Sequence, residues 1–196
     1  MSEWAEVVRR ERDHPCIVAW VPMNESDGLG PNPAPFLNEL HTLTKGLDPT
    51  RPVVSNDGWQ HATTDLCTLH DYAPATELAK RYRDLTSTLD PKARTLPPYL
   101  PGFSYHGEPV IVSEFGGVAL AGMGGWHYSE AKDAAGLLET YRDMVHALMD
   151  PGPVEGFCYT QLTDIEQERN GLLTFDRRPK VDPELIRPIT QTAKRR

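Results

Sequence analysis

The sequence is short of cysteine, of positive charge and of long apolar runs. Its three cysteines, Cys16, Cys67 and Cys158, lie far apart and form no Cys-x-x-Cys pair. That spacing argues against a zinc site and a disulfide framework. Each sits in an apolar run, so all three are expected to be buried reduced thiols. Basic residues number 20 against 28 acidic ones, a net charge of −8. Binding nucleic acid needs a basic face to neutralise phosphates, so nucleic acid is not an expected partner. No apolar run approaches the roughly 18 residues of a membrane-spanning helix, and no apolar stretch follows Met1 in the manner of a secretory signal. No membrane partner is expected. Nucleotide fingerprints are missing as well: no Gly-x-Gly-x-x-Gly follows the first apolar run, and no Gly-x-x-x-x-Gly-Lys-Ser/Thr occurs.

What is present is a chain of 196 residues, 39% of them hydrophobic, enough to bury a core without staples. Its 15 glycines and 18 prolines imply many shaped loops. Five short apolar runs of strand length recur, at 17–23, 52–55, 66–69, 109–113 and 156–162. The first and fourth do not alternate apolar with polar, which is the pattern of strands covered on both faces of a parallel sheet. Between the runs lie helical patterns. Residues 129–149 place Ala134, Leu137, Leu138, Tyr141, Met144, Val145 and Leu148 on one stripe, with Ser129 as the expected cap and Asp150-Pro151-Gly152 as the stop. Weaker helices fit 4–12, 35–45, 75–89 and 183–193. Strands alternating with helices predict a parallel α/β fold, either an open doubly wound sheet or a piece of a (β/α)8 barrel. The glycines at Gly116-Gly117 and at 122–125 lack phosphate-loop spacing and read as a surface loop.

A parallel barrel carries its active site at the C-terminal strand ends, so the residues there matter most. The first strand ends in Asn24-Glu25, the third in His70-Asp71-Tyr72, the fourth in Glu114, and the fifth in Gln161 with Asp164 beyond. A glutamate at the tip of a buried strand is either salt-bridged or functional. Two of them on one rim suit glycoside hydrolysis, in which one carboxyl protonates the departing oxygen and the other attacks or activates water; in the retaining geometry they stand about 5 to 5.5 Å apart. His70 and Tyr72 read equally as rim residues that satisfy loop backbone. Trp59 and Trp126 fit a stacking wall for a sugar, but equally fit loop packing. Trp20, inside the first strand, reads as core. Glu166 and Glu168 read as part of a solvated charged turn.

Three segments, His14-Pro-Cys-Ile-Val-Ala-Trp-Val-Pro-Met-Asn-Glu25, Glu108-Pro-Val-Ile-Val-Ser-Glu114-Phe-Gly-Gly and Gly156-Phe-Cys-Tyr-Thr-Gln-Leu-Thr-Asp164, resemble in order and spacing the catalytic barrel of glycoside hydrolase family 2, the β-galactosidases, β-glucuronidases and β-mannosidases. The resemblance implies a retaining exo-β-glycosidase with Glu25 as acid/base on the fourth barrel strand and Glu114 as nucleophile on the seventh. It implies that Asn24 bonds the sugar 2-hydroxyl, that Tyr72 orients the nucleophile and that His70 reaches a sugar hydroxyl. With Trp59, Trp126 and Gln161 these make the expected substrate-binding set. Two departures stand out. The eighth-strand segment reads Tyr159-Thr-Gln-Leu where galactosidase and glucuronidase members usually carry a tryptophan platform. The Asn-x-Lys element that grips a uronate in glucuronidases does not occur, which argues against a uronic acid substrate.

The expected architecture is therefore a partial (β/α)8 TIM barrel over residues 1–196, strands four to eight with their helices, the first three strands missing. A closed barrel takes about 250 residues. The fourth and eighth strands would present open edges, a route to self-association and to a second reading of the chain as an inactive fragment. A third reading is an open α/β binding protein with a coincidental carboxylate pair. The expected partner is a carbohydrate, a β-glycoside. No cofactor or metal is called for, because acid/base and nucleophilic carboxylates suffice for the reaction.

Overall fold

The computed structural model describes residues 1–150 and 152–191, and the fold is α/β. In chain order the elements are α1 (Ser2–Glu11), α2 (Ala34–Leu47), β1 (Cys67–Asp71), α3 (Ala75–Arg81), α4 (Leu85–Leu89), a 3-10 turn (Pro91–Ala93), β2 (Val110–Gly116), β3 (Val118–Leu120), β4 (Ser129–Ala131), α5 (Ala134–Met149), β5 (Val154–Thr160) and α6 (Pro183–Thr190). They divide into two compact units. The first is Met1–Leu69 with Leu89–Ile111, the second His70–Thr88 with Val112–Arg196.

In the first unit α1 packs on α2. Val8, Trp20 and Val53 form one buried cluster with Trp4, Ile17 and Leu47 against it, and the Trp4 and Trp20 rings meet edge to face at 5.9 Å. A second cluster joins Leu37, Ala62 and Leu100. The first two predicted strands shorten to isolated parallel bridges, Trp20 with Val53 and Asn24 with Asp57. The reason is local. Pro22 has no N–H to donate, and Val18 and Val21 are exposed (78% and 40%), so the run is not covered on both faces as its composition suggested.

The second unit holds the C-terminal ends of β1 and β2, which with β5 make a three-stranded sheet in the order β1-β2-β5, and the parallel pair β3–β4. Helix α5 packs against α3, α6, β3, β4 and β5. Its buried residues, Leu137, Tyr141, Met144, Val145, Leu148 and Met149, follow most of the predicted stripe, but Ala134 in the first turn is exposed and Leu138 half-buried. The cap is Asp133, whose carboxylate accepts from the Gly136 N–H at 2.9 Å; Ser129 belongs to β4 instead. Predicted helix 75–89 breaks into α3 and α4, because the Asp84 carboxylate takes the Ser87 N–H (2.7 Å) and restarts the helix. The predicted stop is seen at Asp150; Pro151, and the 192–193 end of the last predicted helix, lie outside the described residues.

No disulfide links the cysteines, and only Cys67 is buried, its thiol pushed up to about 11 by desolvation. Cys158 is exposed because β5 is an end strand of its sheet, and Cys16 because it lies in the turn ahead of the bridged segment. Gly116 and Gly117 are buried, contrary to the surface-loop expectation, while 122–125 are exposed as expected.

Candidate active site

In the second unit the end of β1 and the end of β2 bring three of the expected residues together. The alternation of β1 carries on one residue past its last member, Asp71, so His70 and Tyr72 turn to one side and Asp71 to the other. Asp71 is pinned there by Arg81 of α3 (2.7 Å), and the Tyr82 hydroxyl donates to its second oxygen at 3.2 Å. The Tyr72 hydroxyl donates to Glu114 Oε2, and His70 Nδ1 lies 3.4 Å from the same oxygen. His70 is buried to within 1% of its side chain, whereas the Glu114 side chain is 27% exposed. Burial, and then the bond to the Glu114 carboxylate, drive the Tyr72 phenol far above its usual range, so it stays a donor. On the opposite face of β2, Phe115 is buried with edge-to-face contacts to Phe157 (5.6 Å) and Tyr159 (5.4 Å). A carboxylate tip is thus anchored by an apolar side chain one residue on.

The two glycines after Phe115 fit this packing. Gly116 has φ +97°, and a Cβ there would meet Tyr159 Cε2 at 2.2 Å; Gly117 has φ +62°, and a Cβ there would meet Tyr128 Cδ2 at 2.3 Å. Tyr128 stacks face to face on Tyr72, and Trp126 stands edge-on to Tyr128 at 4.6 Å. Trp126 is 47% exposed, and its backbone bridges Glu168, so that residue is half-buried and not simply solvated, while Glu166 is exposed. Gln161 is half-buried just after β5, its carbonyl accepting from Leu172 N–H at 3.0 Å. Beyond it Asp164 forms a fully buried ion pair with Lys180 at 2.7 Å, which the sequence reading missed. No local pattern marks Lys180 as its partner.

In the first unit Asn24 is exposed and Glu25 half-buried. Glu25 has φ +48°, a left-handed backbone that a non-glycine residue holds only against a local cost, and its N–H donates to Asp57 O at 3.0 Å. Fully buried Asn56 ties the loop beyond it to the Trp59 loop: its Oδ1 accepts from Ser26 N–H (3.1 Å) and its Nδ2 donates to Trp59 O (2.9 Å). Trp59 itself is half-buried. Asn56 is a second supporting residue that the sequence did not single out.

Comparison with known proteins gives the chain's relatives. Dog β-glucuronidase is 27% identical over 203 residues, covering 93% of this chain and 30% of that protein. Bacteroides fragilis β-glucuronidase is 42% identical over 50 residues, 26% of this chain and 7% of that protein. Among solved structures, Dictyoglomus thermophilum β-D-glucuronidase superposes with a TM-score of 0.69 at 18% identity, over 97% of this chain and 35% of its own. An Eisenbergiella tayi β-galacturonidase bound to galacturonate gives 0.67 at 17% identity, over 95% and 36%. The chain thus spans about a third or less of the length of these relatives. Residues 1–192 match the TIM barrel domain of glycosyl hydrolases family 2, and the chain belongs to that family.

Proposed function

We propose that the chain is barrel strands four to eight of a retaining exo-β-glycosidase, residues 1–196 forming the C-terminal portion of its catalytic domain. The observation that carries the reading is the hold on Glu114, a partly exposed carboxylate that accepts from Tyr72 and lies beside buried His70. A nucleophilic carboxylate needs this arrangement: it keeps one orientation and remains reachable. In the proposed reaction a Glu114 oxygen bonds to the anomeric carbon as the glycosidic C–O bond breaks, and Glu25 gives its proton to the departing oxygen. Water then attacks the glycosyl ester, its proton passes to Glu25, and the sugar leaves with its configuration retained. Asn24, Trp59, His70, Tyr72, Trp126 and Gln161 complete the proposed sugar site. Activity depends on the rest of the barrel.

We read the substrate as a neutral β-hexoside, β-galactoside-like, because no Asn-x-Lys is present to grip a uronate. The relatives named above are β-glucuronidases and a β-galacturonidase, so the choice of sugar is tested directly. The full-length protein is assayed with nitrophenyl β-galactoside and nitrophenyl β-glucuronide, then inactivated with the matching 2-deoxy-2-fluoroglycoside. The expected result is turnover of the neutral sugar and a covalent label on Glu114. Label on any other carboxylate overturns the role assignment, and preference for the glucuronide overturns the sugar.

A further inference from the structure

Tyr128 takes no part in the proposed reaction, yet its ring makes a close contact beside Glu114's partner Tyr72. Its ring lies on that of Tyr72 with centroids 3.5 Å apart and planes 9° from parallel. We propose that Tyr128 is a positioning residue that acts through Tyr72, holding the Tyr72 hydroxyl on Glu114. The kinetic part of this inference rests on the glycosidase reading; the structural part does not.

Tyr72 follows the last residue of β1, and the plane of its ring is set by side-chain contacts. Its hydroxyl is at the end of a long arm: a tilt of about 10° there moves the oxygen by about 1 Å, enough to lose an oriented hydrogen bond. Something must fix the ring plane. Tyr128 is itself fixed from two directions. Its N–H and that of Ser129 both donate to Gly117 O (2.9 and 3.2 Å), at the start of the β3–β4 register that pairs Val118 with Ser129. On the other side Trp126 packs edge-on against it, and Trp126 is tied by its N–H to Gln167 O (2.7 Å) and by its carbonyl to Arg169 N–H (3.2 Å). A side chain at 117 would push the Tyr128 ring off its seat. The contacts therefore close a ring, from Glu114 to Tyr72 to Tyr128 to Gly117, which lies three residues after Glu114 on the same segment. Carboxylate, donor and donor support are referenced to one stretch of backbone.

The test uses Y128F, which keeps the stack, Y128L and Y128A, which remove it, and Y72F, which removes the donor. A phenol proton held on a carboxylate in a short, charge-assisted hydrogen bond resonates far downfield, so the proton NMR spectrum of the full-length protein reads it without any activity. The resonance absent in Y72F identifies Tyr72. It is expected to persist in Y128F and to be lost in Y128L and Y128A. In the full-length protein, Y128L and Y128A are expected to lower kcat by roughly threefold to tenfold, the worth of an aromatic stack, and to lower it no further in a Y72F background. Y128L preserves bulk where Y128A fails to fold. A resonance unchanged in Y128L, no such resonance in the unmodified protein, or a kcat loss that adds in full to that of Y72F each overturns the proposal. Absence of glycosidase activity overturns the reaction assignment alone, since the NMR result stands apart from it.

Discussion

Asn56 in the first unit and Lys180 in the second each tie down a loop through bonds that reach across the sequence. Asn56, fully buried, spans the Ser26 and Trp59 backbones, so Asn56→Ala removes both bonds from half-buried peptide groups. A loss of about 1 to 3 kcal/mol in urea unfolding is expected, without change in the secondary-structure spectrum. Lys180 gives its ammonium to Asp164 and to Arg169 O (2.9 Å), with 1% and 0% of the two charged side chains exposed. Lys180→Met strands a buried carboxylate and is expected to destabilise by roughly 3 kcal/mol or more, whereas the double replacement K180M/D164L recovers most of that loss. A urea midpoint that falls equally in the single and double variants would sink this account. Neither residue was legible beforehand, because a hydrogen-bonding side chain does not name its partner, and Asp164 and Lys180 meet only when the loop between them is folded. The strand-tip positions of His70, Tyr72 and Glu114 were legible because strand ends carry a pattern, an apolar run and then an abrupt polar tip, whereas a role for His70 and Tyr72 came only from the family resemblance.

The element boundaries followed local physics wherever that physics was strong. The α5 stripe was readable because the 3.6-residue period repeats over four turns; its start was not, since Ser129 and Asp133 are both competent caps and only the β3–β4 pairing removes Ser129 from the helix. Asp133→Ala is expected to lower stability by about 1 kcal/mol, and Ser129→Ala to leave the α5 cap untouched, both measured by thermal unfolding. Asp48, ending α2, links that helix to Trp20 (2.9 Å) and Arg51 (2.7 Å). Burial alone would raise its carboxyl, but bonds from Thr50, Trp20 and Arg51 outweigh burial and hold it well below the usual carboxylate range. A carboxyl lowered by folding stabilises fully above its unfolded pKa of about 4, and that contribution fades as pH falls from there toward the lower folded value. Unfolding of Asp48→Asn measured between neutral pH and pH 3 is therefore expected to show a shallower acid loss than the unmodified chain.

For the whole chain, the net charge of −8 and the apolar strand runs exclude broad classes, but they do not name a reaction. The proposed chemistry needs positioning to within about 1 Å, and misplacement on that scale costs about a hundredfold, so the chain alone is expected to hydrolyse nitrophenyl β-galactoside at least about a hundredfold more slowly than the full-length protein. Comparable kcat/KM for the two would refute the dependence. The sequence by itself determined the α/β alternation, the helix stripe, the family and the identity of the strand-tip residues, because these follow from local periodicity and from the order of short segments. Only the tertiary structure decided which cysteines are covered, that two expected strands shrink to bridges around Pro22, and that Tyr128 lies on Tyr72. Those are matters of which surfaces meet. Residues as far apart as Tyr72 and Tyr128 share no local rule, and the contact exists only because Gly117, at positive φ and without a Cβ, leaves room for the ring.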